Sequence, residues 1–61
     1  MKMKWMKFAN NLIRKSEIKN VTLDKRCVIM YAGIYDYIEV YNTKKAASKR
    51  LDEVLRILNR S

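Results

Sequence analysis

One stretch constrains the fold of this chain more than any other: residues 26–41, which read RCVIMYAGIYDYIEVY. It contains the only glycine of the sequence, Gly33, the only cysteine, Cys27, and all four tyrosines. Residue types that favour strands lie on both sides of Ala32-Gly33, which is the one clear turn signal inside the hydrophobic sequence. The stretch therefore predicts a β-hairpin.

The length of the hairpin loop decides which side chains share a face. A three-residue loop over 31–33 would place Gly33 in the left-handed region after a type I turn, where glycine carries no steric penalty. This register pairs Met30 with Ile34, and Lys25 with Glu39 as an opposite-charge pair that favours it. One predicted face contains Val28, Met30, Ile34, Ile38 and Val40, and the other contains Cys27, Ile29, Tyr35, Tyr37, Glu39 and Tyr41. A slip by one residue would regroup the first strand against the second.

Neither predicted face is polar, although a strand pair with one face in water normally has a polar side. A single helix can cover only one face, so the tyrosine row (Tyr35, Tyr37 and Tyr41) needs a strand, a second subunit or a ligand. At 61 residues the chain is near the lower limit for folding alone. One cysteine cannot form an internal disulfide, and there is no histidine to join a metal site. We therefore expect a homodimer.

The N-terminal part of the sequence predicts strands joined by turns. Lysines alternate with large apolar residues over 2–8, which favours a strand without excluding a short helix, and Trp5 is expected to anchor the core or sheet. Asn10-Asn11 is a turn signal. Apolar and polar residues alternate over 18–23, which predicts a strand whose apolar side contains Val21 and Leu23. Residues 24–26 are the predicted turn into the hairpin.

A C-terminal helix is predicted after the hairpin, with Asn42 or Thr43 as its N-cap. Apolar residues at helical spacing form one stripe along it: Ala47, Leu51, Val54, Leu55 and Leu58. No proline or repeat divides the chain, so residues 1–61 are expected to form a single domain. The fold class predicted is α+β, a three- to four-stranded antiparallel β-meander with one C-terminal α-helix packed on one face.

The charge of the chain favours a polyanionic partner. Fourteen Lys and Arg against six Asp and Glu give a net charge of +8, which suits nucleic acid, although a lysine-rich composition also keeps a small protein in solution. Lys44 and Lys45 occupy the first turn of the predicted helix, and Lys49 and Arg50 follow one turn later. Free backbone N–H groups ringed by cations would bind a phosphate. The competing interpretation is a basic face that only contacts water.

The tyrosine row is the second candidate site. Aromatic rings on an open sheet can stack bases, with Lys25 and Arg26 beside Lys44 and Lys45 to contact phosphates. Tyrosine is equally common at protein interfaces, and for so short a chain we favour an interface slightly over base stacking.

The sequence offers little for catalysis. Histidine is absent, the carboxylates are scattered apart from Asp52-Glu53, and Cys27 has no histidine to activate it. We expect no enzymatic activity, no cofactor and no metal. There is no apolar run long enough to span a membrane and no secretory signal at the N-terminus, so the cytoplasm is the expected location and a membrane is not an expected partner.

The order of these elements resembles short, mostly uncharacterised phage and Gram-positive bacterial proteins with a β-meander and a C-terminal helix. The matching residues are Asn11, Leu12, Ile13, Ile18, Val21, Leu23, Gly33 and the apolar stripe of the helix. In outline the chain also resembles strand-strand-strand-helix dimers that bind single-stranded DNA. The resemblance implies the fold and is compatible with a DNA-binding function.

Two functions follow as expectations. The first is a small basic nucleic-acid-binding accessory protein that contacts phosphates through Lys44, Lys45, Lys49 and Arg50. The second is a protein-interaction module, for instance a small phage-encoded inhibitor of a host enzyme or defence complex, which docks on an acidic protein surface through the tyrosine row.

Overall fold

A three-stranded sheet is the centre of the fold. The computed structural model describes residues 4–60, and these form five β-strands and one α-helix. The strands are β1 (Trp5–Phe8), β2 (Asn11–Arg14), β3 (Ile18–Asp24), β4 (Cys27–Ala32) and β5 (Tyr35–Val40), and the helix is α1 (Lys44–Asn59). A short 3-10 helix, Lys15–Glu17, joins β2 to β3. Strands β3, β4 and β5 are antiparallel neighbours in chain order, while β1 and β2 form a separate antiparallel hairpin. The predicted α+β class, with a three-stranded meander and a C-terminal helix, is confirmed.

The β4–β5 hairpin closes through the two-residue turn Gly33-Ile34, between the paired residues Ala32 and Tyr35. Gly33 has a φ of 61°, and a positive φ at the first turn residue alone is the pattern of a type II′ turn. The predicted three-residue loop over 31–33 is therefore wrong. Glycine at the first position permits the two-residue turn, whose twist matches that of the strands it joins.

The observed register exchanges the two faces of β5. Met30 pairs with Tyr37 instead of Ile34, a shift of three residues along β5. Because side chains alternate along a strand, a shift by an odd number of residues moves every side chain of β5 to the other face. The face that packs on the core contains Val28, Met30 and Ala32 of β4 with Tyr35, Tyr37 and Glu39 of β5. The predicted grouping of Ile38 and Val40 with Val28 and Met30 is wrong, and Glu39 pairs with Val28 instead of Lys25.

The helix and the β1–β2 hairpin both cover this inner face of the sheet. Their buried residues form one cluster with those of β4: Met6, Phe8, Ile13, Val28, Met30, Ala32, Ala47 and Val54. Thr43 is the N-cap, and its Oγ1 accepts a hydrogen bond of 3.1 Å from the Ala46 N–H. The predicted stripe is confirmed at Ala47 and Val54, but Leu55 is 41% exposed.

The β1–β2 hairpin has a different turn from the predicted one. Its turn residues are Ala9 and Asn10, both with positive φ, instead of Asn10-Asn11. Two consecutive positive φ values define a type I′ turn, which suits a tight hairpin. The strand prediction is confirmed from residue 5 onwards, while residues 2–3 lie outside the described part. Of the two expected places for Trp5, the core is wrong, because this residue is 39% exposed. The sheet is confirmed, because Trp5 lies in β1 and pairs with Arg14 of β2.

Candidate binding surfaces

Exposed cations of two segments meet at one end of the sheet. Lys25 and Arg26 form the turn between β3 and β4, and the Arg26 carbonyl accepts a hydrogen bond of 2.9 Å from the Tyr41 N–H. Shortly after Tyr41 the chain enters the helix at Lys44 and Lys45. All four of these basic side chains are exposed. We call Lys25, Arg26, Lys44 and Lys45 the basic end.

The helix start gives the basic end a further property. Thr43 satisfies the Ala46 N–H through its hydroxyl, and its carbonyl accepts from the Ala47 N–H at 3.2 Å. The first turn of the helix contains no acidic residue, so no carboxylate of the first turn offsets the positive end of the helix dipole. Lys49 is exposed one turn further on, and Asp24 is an exposed acidic residue at the adjoining end of β3. The arrangement suits an anion that contacts both segments.

Two of the predicted site residues, Arg50 and Tyr41, are held inside the molecule by Glu39. The Arg50 Nε donates to Glu39 Oε1 at 2.9 Å, and the Tyr41 hydroxyl donates to the same oxygen at 2.6 Å. The backbone N–H of Ala9 donates to Glu39 Oε2 at 2.9 Å. Arg50 also donates to the Lys7 carbonyl at 3.1 Å, and its guanidinium pairs with the Glu53 carboxylate. This Glu39 network joins the sheet, the helix and the β1–β2 hairpin.

The ionisation of the Glu39 network follows from its contacts. Burial alone would raise the pKa of Glu39, but hydrogen bonds from Arg50, Tyr41 and the Ala9 N–H outweigh burial and lower it. Burial together with the hydrogen bond to Glu39 raises the pKa of Tyr41 to about 12. A raised folded-state pKa contributes stability that is lost as pH rises from the ordinary value of 10 towards 12. The network is therefore intact across the neutral range.

The other two predicted tyrosines lie at the opposite end of β5 from the helix start. Tyr35 and Tyr37 have ring centroids 6.3 Å apart and line a groove of ≈ 300 Å³ between the β4–β5 turn and the β1–β2 hairpin. Trp5 and Arg14 line the same groove, with the Arg14 guanidinium carbon 4.8 Å from the Trp5 ring centroid. Along the chain direction of β5, Tyr35 of this aromatic groove lies about 20 Å from Tyr41 and Tyr37 lies about 14 Å from it, at ~3.4 Å per residue.

The outer face of the sheet contains different residues of β5 from those that the predicted register assigned to the uncovered face. Its paired positions form three rows across β3, β4 and β5: Asp24–Cys27–Val40, Thr22–Ile29–Ile38 and Asn20–Tyr31–Asp36. No element among residues 4–60 packs on it, and Ile38 and Val40 are 52% and 69% exposed. The alternation of β5 predicts that one apolar face stays uncovered. It does not predict which of the two faces of the sheet this is. We call these rows the open face.

The fold and these surfaces define a class of protein: a small basic α+β domain whose antiparallel sheet is covered on one side only. No protein-family model, no curated protein and no solved structure matches the chain. The resemblance to phage and bacterial proteins therefore stays a prediction. No helix within residues 4–60 has the length and apolar character that crossing a membrane requires.

Proposed function

We propose that this protein binds nucleic acid through the basic end, without catalysing a reaction. The observation that carries the proposal is the Tyr41–Arg26 backbone hydrogen bond, because it fixes the β3–β4 turn next to the helix start. Two cations from each segment thus belong to the same end of the sheet. Phosphates of a nucleic acid recur along the chain, so a cluster of exposed cations on two segments suits them better than it suits a single small anion.

Lys49 extends this surface along the helix, whereas Arg50 supports it indirectly. Since Arg50 is committed to Glu39, Glu53 and the Lys7 carbonyl, its proposed role is to hold the helix against the sheet. The aromatic groove would give a bound single strand a second contact, in which Tyr35 and Tyr37 stack on bases. Stacking of this kind contributes about 1–3 kcal/mol per base. The cytoplasm, where Cys27 would stay reduced, is the proposed compartment.

The experiment is fluorescence anisotropy with labelled single- and double-stranded oligonucleotides over a salt series. We expect micromolar or tighter binding at physiological salt. The logarithm of the association constant should fall with log salt by about 0.7 for each phosphate contacted on a single strand. Binding no tighter than ~10⁻⁴ M, which is the weak end of non-specific binding, contradicts the proposal.

Charge reversal localises the contact. Lys44→Glu with Lys45→Glu should abolish binding, and it should not unfold the helix because acidic residues are favoured in a first turn. The matched control is Lys4→Glu with Lys19→Glu, which makes the same charge change at two exposed positions away from the basic end. Equal losses in both double variants would mean that net charge, not the basic end, drives binding.

A protein-interaction module is the second candidate function, and the aromatic groove favours it. Exposed Tyr35, half-buried Tyr37 and exposed Leu12 on its walls are residue types that could dock an apolar segment of another protein. Truncating Tyr35 and Tyr37 to Ala would then reduce partner binding more than reversing Lys44 and Lys45. Under nucleic-acid binding the order of the two effects is reversed.

A further inference from the structure

We infer that the open face is a contact surface between two copies of this chain, which pack sheet against sheet. This inference concerns a different surface from the basic end and does not depend on nucleic-acid binding. The middle row of the open face has Ile29 at its centre and Ile38 at its edge, flanked by Val40 and Tyr31 in the outer rows. An exposed apolar area of this kind, rimmed by polar side chains, marks an interaction site.

Charge identifies a second copy as the occupant. The chain has a net charge of +8, so two copies repel each other at most orientations. Yet none of the paired positions of the open face, all within the described part of the chain, is Lys or Arg, and the charged residues among them are Asp24 and Asp36. These occupy opposite corners of the three rows. The nearest cations lie at the ends of the rows: Lys19 at the bulge of β3, and Lys25 and Arg26 in the β3–β4 turn. Two copies can therefore meet over these rows without placing cations against cations at their centre, whereas a nucleic acid would find no cation at the paired positions to neutralise its phosphates.

A second copy also matches the chemistry of the open face. In a two-fold dimer the same surface patch is buried on both subunits, so an apolar centre meets an apolar centre and polar edges meet polar edges. Two sheets pack in this way at a spacing of about 10 Å. The hydrophobic core of the described residues consists of eight buried side chains, and a domain this small gains stability from association.

The dimensions of the open face set the expected affinity. Three strands cover about 14 Å in width, and six residues cover about 20 Å in length. A standard interface buries about 800 Å² on each partner, so the contact is small. We therefore expect a dissociation constant of roughly tens to hundreds of micromolar, well above the nanomolar range.

Sedimentation equilibrium from low micromolar to millimolar protein tests this inference. The mass of the wild-type chain should rise from 7.3 kDa towards twice that value. Ile38→Lys places a cation in the middle row and should weaken the dimer at least tenfold. The matched control is Leu12→Lys, at a position that is 67% exposed and lies outside the open face; it should associate like the wild type. A wild-type mass of one chain throughout, or equal association of both variants, overturns the inference.

Cys27 provides a measurement that needs no variant. It is the only cysteine of the chain and is half-buried in an outer row of the open face. The rate at which a small maleimide alkylates each Cys27 should fall as the protein concentration rises, in proportion to the fraction of chains that are dimeric. If the mass increases while the alkylation rate per molecule stays constant, the copies meet elsewhere and the open face is not the interface.

Discussion

The inner and outer faces of the three-stranded sheet are built from alternating residues of the same strands, yet their surroundings differ completely. On the inner face Val28 and Met30 are fully buried beneath the helix and the β1–β2 hairpin. On the outer face Ile38 and Val40, which are just as apolar, are largely exposed. The apolar pattern of the strands therefore indicates how many faces of the sheet are apolar. The turn between the strands sets the register, and the register determines which face packs on the core.

The strongest test of this difference compares Met30→Ala with Ile38→Ala. Removing the fully buried Met30 side chain leaves a cavity and should lower the free energy of unfolding by about 2–5 kcal/mol. Ile38 is 52% exposed, so its truncation should cost less than about 1 kcal/mol. Urea denaturation at low micromolar protein, where association is weak, measures both. If both substitutions lower the free energy of unfolding by the same amount, the assignment of Met30 to a buried face and Ile38 to an exposed face is wrong.

A second test compares one carboxylate from each face of β5. Glu39→Gln removes charge-assisted hydrogen bonds to Arg50 and Tyr41 and should lower the free energy of unfolding by about 1.5–3 kcal/mol at neutral pH. Asp36→Asn, at an exposed position of the outer face, should change it by no more than about 0.5 kcal/mol.

The pH dependence of the Glu39 variant gives an independent check. The pKa of Glu39 is lowered in the folded chain from 4.5, so the unfolded state binds the proton more readily. The stability that Glu39 contributes is therefore present above about pH 4.5 and is lost as pH falls through the lowered folded-state pKa. The difference between wild type and Glu39→Gln should shrink on acidification. A difference that stays constant with pH would contradict the ion pair as its source.

The smallest expected effect concerns the turn that assigns the faces. A Cβ at Gly33 would meet nothing within 4 Å, but the φ of this residue is +61°, so Gly33→Ala should cost about 1–2 kcal/mol of backbone strain alone. Asn10→Gly in the other hairpin, at an exposed residue with a φ of 62°, should instead be neutral or stabilising by up to about 0.5 kcal/mol. Cross-strand NOEs between Met30 and Tyr37 would show that the register persists in both variants.

Elements with strong local signals could be predicted from the sequence. Capping preference predicts a helix start at Asn42 or Thr43, and the structure has Thr43 as the N-cap. Alternation predicts the strand over 18–23 with Val21 and Leu23 on its inner side, and the structure contains it. The register of β4 and β5 could not be predicted with the same certainty, because Gly33 can serve a three-residue loop or the first position of a two-residue turn. Both choices keep the alternation of β5, but they differ in the partner that each residue meets and in the face of β5 that packs on the core.

The candidate surfaces were predictable to a similar extent. Lys25 and Arg26 were expected beside Lys44 and Lys45, and the structure brings these two segments to one end of the sheet. The internal role of Arg50 could not be inferred from the helix sequence, because it depends on Glu39 in β5 and on the Lys7 carbonyl. Long-range partners of this kind are set by the packing of three elements, which no local pattern encodes.

The hydrogen bond from the Ala9 N–H to Glu39 turns one backbone amide into a reporter for the whole hairpin. Ala9 is a turn residue, and turn amides ordinarily exchange their hydrogen with solvent quickly. Here the amide is held by a carboxylate from β5, so exchange requires the β1–β2 hairpin to separate from the sheet. The deuterium uptake rate of this single amide therefore measures how often the N-terminal hairpin undocks while the three-stranded sheet stays folded.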